Sequence, residues 1–170
     1  MSNRLSQSIS PSRSSCLFIS ITFHTRMSMT YQLISERKAP PYRVSCPQDL
    51  YKLLTRYAGA RSERFLTVTL DGAHQVIKVN IISIGLVNRT VVHPREVYYP
   101  AIIQNACAVI IVHNHPSTRL DPSPEDRDIT NRLKNAGEIL GIPVLDHLII
   151  SKTGYFSFVE HGLLEAPTPD

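Results

Sequence analysis

The chain has few cysteines, and their arrangement argues against two common ways of stabilising a small domain. It contains Cys16, Cys46 and Cys107 and no Cys-x-x-Cys pair. An odd number without paired spacing argues against a disulfide framework and against a zinc site built from thiolates. The cysteine content therefore favours a reducing, cytoplasmic setting.

Long apolar segments are also missing. No stretch approaches the ~18 apolar residues that mark a membrane span, so we expect no membrane association. The 170 residues, 42% of them hydrophobic, are enough for one domain with a real core.

Positive charge is concentrated in one part of the chain. The net charge is +4, and residues 1–40 carry all of it, with five basic side chains against one Glu. Residues 41–170 hold 13 basic and 13 acidic side chains. A neutral domain argues against a nucleic-acid-binding face and leaves the basic tail as the one segment suited to such binding.

Composition divides the chain into three segments. Residues 1–40 are rich in Ser with scattered Arg and show no helical or strand period, which predicts a disordered tail. Residues 41–164 have regular patterning and form the predicted domain, and residues 165–170 are expected to be frayed.

Within the domain, the pattern of apolar residues and turns predicts helix, hairpin, helix, strand, helix and hairpin. This order predicts an α/β domain with a single mixed β-sheet flanked by helices. The predicted elements are a helix from Pro47 to Gly59, strands 65–70 and 75–84, a helix from Pro94 toward Asn105, a buried strand 106–112, a helix 124–140 with an apolar face that includes Leu140, and strands 144–150 and 155–159.

Two histidines follow the predicted buried strand. His113 and His115 are two residues apart, so on an extended chain both imidazoles point to one face and can bind one metal ion. Asp126 lies just past a Ser-Pro helix start, where its carboxylate can fold back as a third ligand. Two His and one carboxylate leave a fourth tetrahedral position open to water, which is typical of catalytic rather than structural zinc.

The same residues have simpler explanations. A His pair also occurs at strand ends without any ligand, and Ser123 with Asp126 fits a capping box that has Pro124 at the first helical position. Capping and ligation are compatible. The combination favours a metal site, because active sites occur at the carboxyl edge of α/β sheets.

The spacing His113-x-His115, seven residues, Ser123, two residues, Asp126 resembles the signature of the JAB1/MPN/Mov34 (JAMM) metalloenzymes. Within that family the chain looks like the bacterial RadC-type proteins. Supporting stretches are residues 90–96, 144–147 and 155–158.

Two positions depart from the RadC-like pattern. Thr118 stands where Gly is usual, so the loop differs if that position needs a positive φ. Pro100 interrupts a predicted helix and should kink or restart it.

The resemblance implies a cytidine-deaminase-like architecture and one Zn²⁺ per chain, held by His113, His115 and Asp126. It implies a hydrolase that cleaves peptide or isopeptide bonds of a protein or peptide substrate by attack of zinc-bound water. Glu63 matches the general base of the family, and Ser123 matches the serine that donates a hydrogen bond to the developing oxyanion.

Some of these roles have rivals. Glu63 is also explained as a solvated strand-edge residue, and Glu96 is an alternative base, although the helix dipole alone favours a carboxylate at that position. Asp146 and His147 lie on opposite faces of a predicted strand, so at most one of them can face the metal. Asp146 is a candidate partner that supports a metal ligand, although a buried structural hydrogen bond is the role we favour for it.

Two functions from other classes compete with hydrolysis. One is a RadC-type DNA-repair accessory or nucleic-acid-associated protein without protease activity, and the neutral domain argues against it. The other is a metal-free MPN scaffold that binds partners, and the presence of all three ligand residues argues against that.

Overall fold

A computed structural model describes residues 42–85 and 92–165. The predicted disordered tail 1–40 and residues 166–170 of the predicted frayed end lie outside the described residues. None of the described helices combines the length and the hydropathy needed to cross a bilayer. The elements of the described part are α1 (Pro47–Ala58), β1 (Arg64–Leu70), β2 (Val76–Ile84), α2 (Pro94–Ile103), β3 (Ala108–Asn114), α3 (Pro124–Leu140), β4 (Val144–Ser151) and β5 (Gly154–Ser157).

The five strands form one mixed sheet, as predicted. Their order is β2-β1-β3-β4-β5, and β3 is antiparallel to β1 and parallel to β4. All seven residues of β3 are buried, because neighbouring strands flank it and helices cover both faces. The predicted strand 106–112 begins two residues too early. Ala106 instead donates its N–H to the Ala101 carbonyl at the end of α2.

Side chains alternate between two hydrophobic cores along the sheet. On one face, α1 packs Leu50, Leu54 and Tyr57 against Leu66, Val112 and other residues. On the other face, α2 and α3 pack against the second core. Its members include Phe65, Val97, Tyr98, Ile111, Leu133 and Ile149. His113 follows Ile111 by two residues and therefore lies on the face covered by α2 and α3.

Helices α2 and α3 begin at caps that the sequence encodes. His93 caps α2, its Nδ1 accepting from the Arg95 N–H at 3.2 Å, and Ser123 caps α3. Helix α2 continues through Pro100 to Ile103, so the helix does not restart at Pro100, and the kink expected there as the other outcome stays a prediction.

Helix α3 ends at the predicted residue, but its last turn does not follow the predicted apolar face. The helix ends where Gly141 adopts a left-handed conformation with φ of 67°. Its last turn departs from the predicted apolar face, because Leu140 is 45% exposed while Gly137 is buried beside Tyr98.

Candidate metal centre

Strand polarity brings the predicted site residues to one edge of the sheet. Because β1 runs antiparallel to β3, the start of β1 lies beside the end of β3, and Phe65 pairs with His113. Glu63, just before β1, therefore reaches the two histidines. The chain then returns through the loop after His115 to the first turn of α3, which carries Asp126.

The donor atoms of these residues lie close to one another around the histidine pair. Nε2 of His113 lies 2.9 Å from Nε2 of His115 and 3.3 Å from Oδ1 of Asp126. Nε2 of His115 lies 3.8 Å from Oδ2 of Asp126. Glu63, His113 and His115 each offer a ligand atom within 4.8 Å of the other two. Both carboxylates, Glu63 and Asp126, thus lie beside the histidine pair.

These distances fit a tetrahedral ion. Ligands about 2.0–2.1 Å from zinc at tetrahedral angles are separated by roughly 3.3 Å. Nε2 of His113 lies near that distance from Nε2 of His115, at 2.9 Å, and from Oδ1 of Asp126, at 3.3 Å, whereas His115 is 3.8 Å from the other oxygen of Asp126. Nitrogen and oxygen donors without thiolate suit zinc and other divalent first-row ions. The residues present therefore fit the metal site expected from the sequence.

Asp126 divides its two carboxylate oxygens between different partners. Oδ2 accepts from the backbone N–H of Ser123 at 2.8 Å, and Oγ of Ser123 accepts from the backbone N–H of Asp126 at 3.1 Å, which completes the predicted capping box. Oδ2 also accepts from the Ser123 hydroxyl at 2.7 Å. Oδ1 is the oxygen nearer to His113. Capping and metal ligation are therefore compatible, as the sequence suggested. In this arrangement the hydroxyl proton of Ser123 is directed at Asp126.

The loop after β3 orients His115. Nδ1 of His115 lies 2.7 Å from the carbonyl oxygen of Arg119, which can only accept, so Nδ1 carries the proton and Nε2 presents a lone pair. Thr118 lies between these two residues with φ of 64°. The position at which the resemblance led us to expect Gly is thus left-handed here, although its residue is β-branched.

Asn114, between the two histidines, points to the opposite face and holds the segment that carries Glu63. Its Oδ1 accepts from the Arg64 N–H at 2.9 Å. Its Nδ2 donates to the carbonyls of Ala60 at 3.4 Å and Ser62 at 3.3 Å. The side chain is fully buried. Asn114 therefore fixes where Glu63 enters the site.

His147 contacts a metal-ligand candidate, which sequence reasoning missed. Its Nε2 lies 2.8 Å from Nδ1 of His113, and its Nδ1 lies 2.6 Å from Oγ1 of Thr130. Asp146 makes the buried structural hydrogen bonds that were its favoured role, accepting from Ser157 Oγ at 2.6 Å and from the Val159 N–H at 3.1 Å. Strand alternation had correctly limited the site to one of the two neighbours without showing which.

Burial keeps the inner imidazoles neutral. Burial lowers the pKa of His113 to about 4; the Asp126 carboxylate opposes this shift, and His115 adds to it. Burial also lowers the pKa of His147 well below its usual value, with smaller contributions from the two other histidines. Neutral imidazole is the form that ligates metals.

A cavity of about 540 Å³ opens onto the donor atoms. Glu63, His115, Ser123 and Asp126 are among the residues that line it, whereas Glu96 is not. Glu96 lies in the first turn of α2, 3.8 Å from the guanidinium of Arg95. Of the two rival bases, the structure thus brings Glu63 to the histidine pair.

Histidine and carboxylate donors at the end of a central strand, beside an open cavity, define an α/β domain with a group able to bind a metal ion. Comparison with known families gives the particular one. Residues 44–163 match the RadC-like JAB domain, and the chain belongs to this family.

Several curated proteins named UPF0758 resemble the chain. The protein of Trichlorobacter lovleyi is 56% identical over 104 residues, which cover 61% of this chain and 45% of that protein. The Thermotoga maritima protein is 41% identical over 144 residues, covering 85% of this chain and 65% of its own length. The Methanosarcina mazei protein is 39% identical over 127 residues, covering 74% and 56%. The aligned part of this chain thus spans about half the length of these relatives.

Proposed function

We propose that this chain is a zinc-dependent hydrolase that cleaves peptide or isopeptide bonds in a protein or peptide substrate. The observation that carries the proposal is the convergence of His113, His115 and Asp126 at separations of 2.9–3.8 Å, with Glu63 adjoining. Membership of the RadC-like JAB family supports it. The cavity leaves room for a substrate at the same point.

His113, His115 and Asp126 would hold the ion. When bound, zinc lowers the pKa of a coordinated water to about 7 and polarises a carbonyl group. Two neutral imidazoles and one carboxylate leave the site with a net positive charge, which favours both effects. Because these residues supply three ligands, a fourth position remains for water or substrate.

Glu63 and Ser123 would move and stabilise charge. In the proposed role, the Glu63 carboxylate takes a proton from the attacking water and returns it to the leaving amine, as a general base and then a general acid. The Ser123 hydroxyl would turn from Asp126 toward the developing oxyanion. Asp126 would still accept the backbone N–H of Ser123, so the helix cap would survive that turn.

Two matched substitutions test the role of Glu63. Glu63→Gln should keep its fold and its zinc but lose roughly 10²- to 10⁴-fold in turnover, because the amide cannot accept a proton. Glu96→Gln should stay active, since Glu96 lies outside the cavity lining. Turnover is measured with the zinc-loaded chain on a quenched-fluorescent peptide library and on a matched library of Lys Nε-linked isopeptides. An active Glu63→Gln beside an inactive, zinc-loaded Glu96→Gln would show that the base is misassigned.

Metal content tests the ligand set. Elemental analysis of purified protein should give close to one zinc per chain, and replacing both His113 and His115 by Ala should abolish it. Unchanged zinc in the double variant would refute the site.

A further inference from the structure

A buried chain of hydrogen bonds runs behind the metal centre, from Thr130 on α3 to His113 on β3. Oγ1 of Thr130 lies 2.5 Å from the carbonyl oxygen of Asp126 and 2.6 Å from Nδ1 of His147. Nε2 of His147 lies 2.8 Å from Nδ1 of His113. Both imidazoles are fully buried and Thr130 is 1% exposed, so protein groups must satisfy one another here.

The hydroxyl proton of Thr130 determines which atom donates in every hydrogen bond of this buried chain. Two oxygen atoms 2.5 Å apart repel unless a proton lies between them, and a carbonyl has none to give. The single hydroxyl proton of Thr130 is therefore donated to the carbonyl of Asp126. Oγ1 then offers only lone pairs to His147, so the proton between Thr130 and His147 must lie on Nδ1 of His147.

The remaining protons follow in turn. A neutral imidazole carries one N–H, so His147 with its proton on Nδ1 has an acceptor at Nε2. That acceptor receives the N–H of Nδ1 of His113. His113 is left with an unprotonated Nε2, which lies 3.3 Å from Oδ1 of Asp126 and 2.9 Å from the unprotonated Nε2 of His115. These facing lone pairs repel one another unless a cation lies between them.

We propose, building on the function proposed above, that Thr130 and His147 are positioning residues that hold His113 in the tautomer whose Nε2 can bind the metal ion. The opposite tautomer would aim an N–H at the ion and remove one ligand. His115 needs no such chain, because its Nδ1 faces a backbone carbonyl directly. Thr130 also donates to the carbonyl of Asp126. The same hydroxyl therefore connects His113 on β3, through His147, with Asp126 on α3.

Nitrogen NMR reads the tautomer without any activity assay. Protein labelled with ¹⁵N-histidine is stripped of metal and held at pH 8, where buried His113 and His147 are neutral. Two-bond ¹H–¹⁵N correlations distinguish a protonated ring nitrogen from an unprotonated one. We expect His113 and His147 both to be protonated at Nδ1. A proton on Nε2 of either ring would overturn the proposal.

Zinc affinity tests whether the chain of hydrogen bonds contributes to metal binding. Thr130→Val keeps the shape but removes both hydrogen-bonding roles, and we expect it to weaken zinc binding about 10- to 100-fold in chelator competition. Thr130→Ser restores the hydroxyl and should recover most of the affinity. Equal affinities for wild type, Thr130→Val and Thr130→Ser, with all three folded by circular dichroism, would contradict the proposal.

The two proposals fail separately. Wild-type protein that binds no zinc would refute the hydrolase, while the NMR measurement on metal-free protein would still decide the tautomer. If Thr130→Val does not fold, the wild-type spectrum and the affinity of Thr130→Ser remain decisive. In Thr130→Ser protein, His113 and His147 should keep their protons on Nδ1 and zinc should still bind. If those protons are in place but zinc binds as weakly as it does to protein without His113, the positioning role is overturned.

Discussion

Replacing Thr118 by Gly should stabilise the protein, because Thr118 occupies a backbone conformation that suits Gly. Its φ is 64°, and a β-branched residue is a clear outlier at positive φ. The left-handed conformation costs an L-residue about 1–2 kcal/mol. Gly loses about 0.5–1 kcal/mol of this gain, because its unfolded chain is more flexible and folding costs it more conformational entropy. Because Thr118 is exposed, its removal forfeits no buried packing.

The net gain should therefore be about 1 kcal/mol. For a domain of roughly 120 residues, that corresponds to a rise of about 4 °C in Tm. Urea unfolding and calorimetry of metal-free protein measure both quantities. Zinc binding should be unchanged, because the Gly variant retains the loop conformation that places the Arg119 carbonyl on His115.

Two control variants separate backbone strain from other effects. Thr118→Ala keeps a Cβ at the left-handed position and should gain less than Thr118→Gly. Asn105 has φ of 51°, and Asn tolerates that region, so Asn105→Gly should change stability little. A Thr118→Gly protein no more stable than Thr118→Ala would refute the assignment of strain to this loop.

Three further predictions concern the rest of the fold. The free energy of unfolding of metal-free protein should fall as pH drops from 6.5 toward 4, because the unfolded chain binds protons that buried His113 and His147 do not. The fall should be up to about 1.4 kcal/mol per pH unit for each imidazole. A free energy of urea unfolding that is independent of pH in this window would contradict the prediction. Gly137→Ala should destabilise the protein by about 1–3 kcal/mol although Ala is the better helix former, because a Cβ there would collide with the Tyr98 hydroxyl. A rise in Tm would contradict this, since it would show that α2 and α3 can separate freely. Asn114→Asp should lower the free energy of unfolding by about 1–3 kcal/mol, because it places a carboxylate against two backbone carbonyls. It should also reduce turnover while zinc is retained. Turnover and elemental analysis of the same sample check the second expectation.

The sequence predicted most of the fold because its signals were local. Helix α3 was placed from a Ser-Pro start to a terminal Gly, and both caps hold in the structure. The hairpin of β1 and β2 followed from a turn in which Asp71 Oδ1 accepts from the N–H groups of Ala73 and Gln75. Strand β3 was placed two residues early, because the apolar pattern continues past the point where α2 still holds the backbone.

The residues that support the site were harder to predict. Period two shows that Asp146 and His147 face opposite ways, but only tertiary packing decides which face meets α3. Asn114 gave no signal at all, because its partners are backbone groups some 50 residues earlier in the chain. Ligands could be identified from spacing, whereas the groups that orient them depend on which elements become neighbours.

The alternation within β3 has a consequence for tolerated changes in length. His113 faces α2 and α3 while Asn114 faces the segment before β1, so adjacent residues of one strand do different tasks on opposite faces. Inserting or deleting a single residue in β3 would exchange them, turning the amide toward the ion and the imidazole toward the three backbone groups that the amide now holds. Paired changes of two residues would preserve the faces. Length variation among working versions of this domain should therefore spare the strand itself.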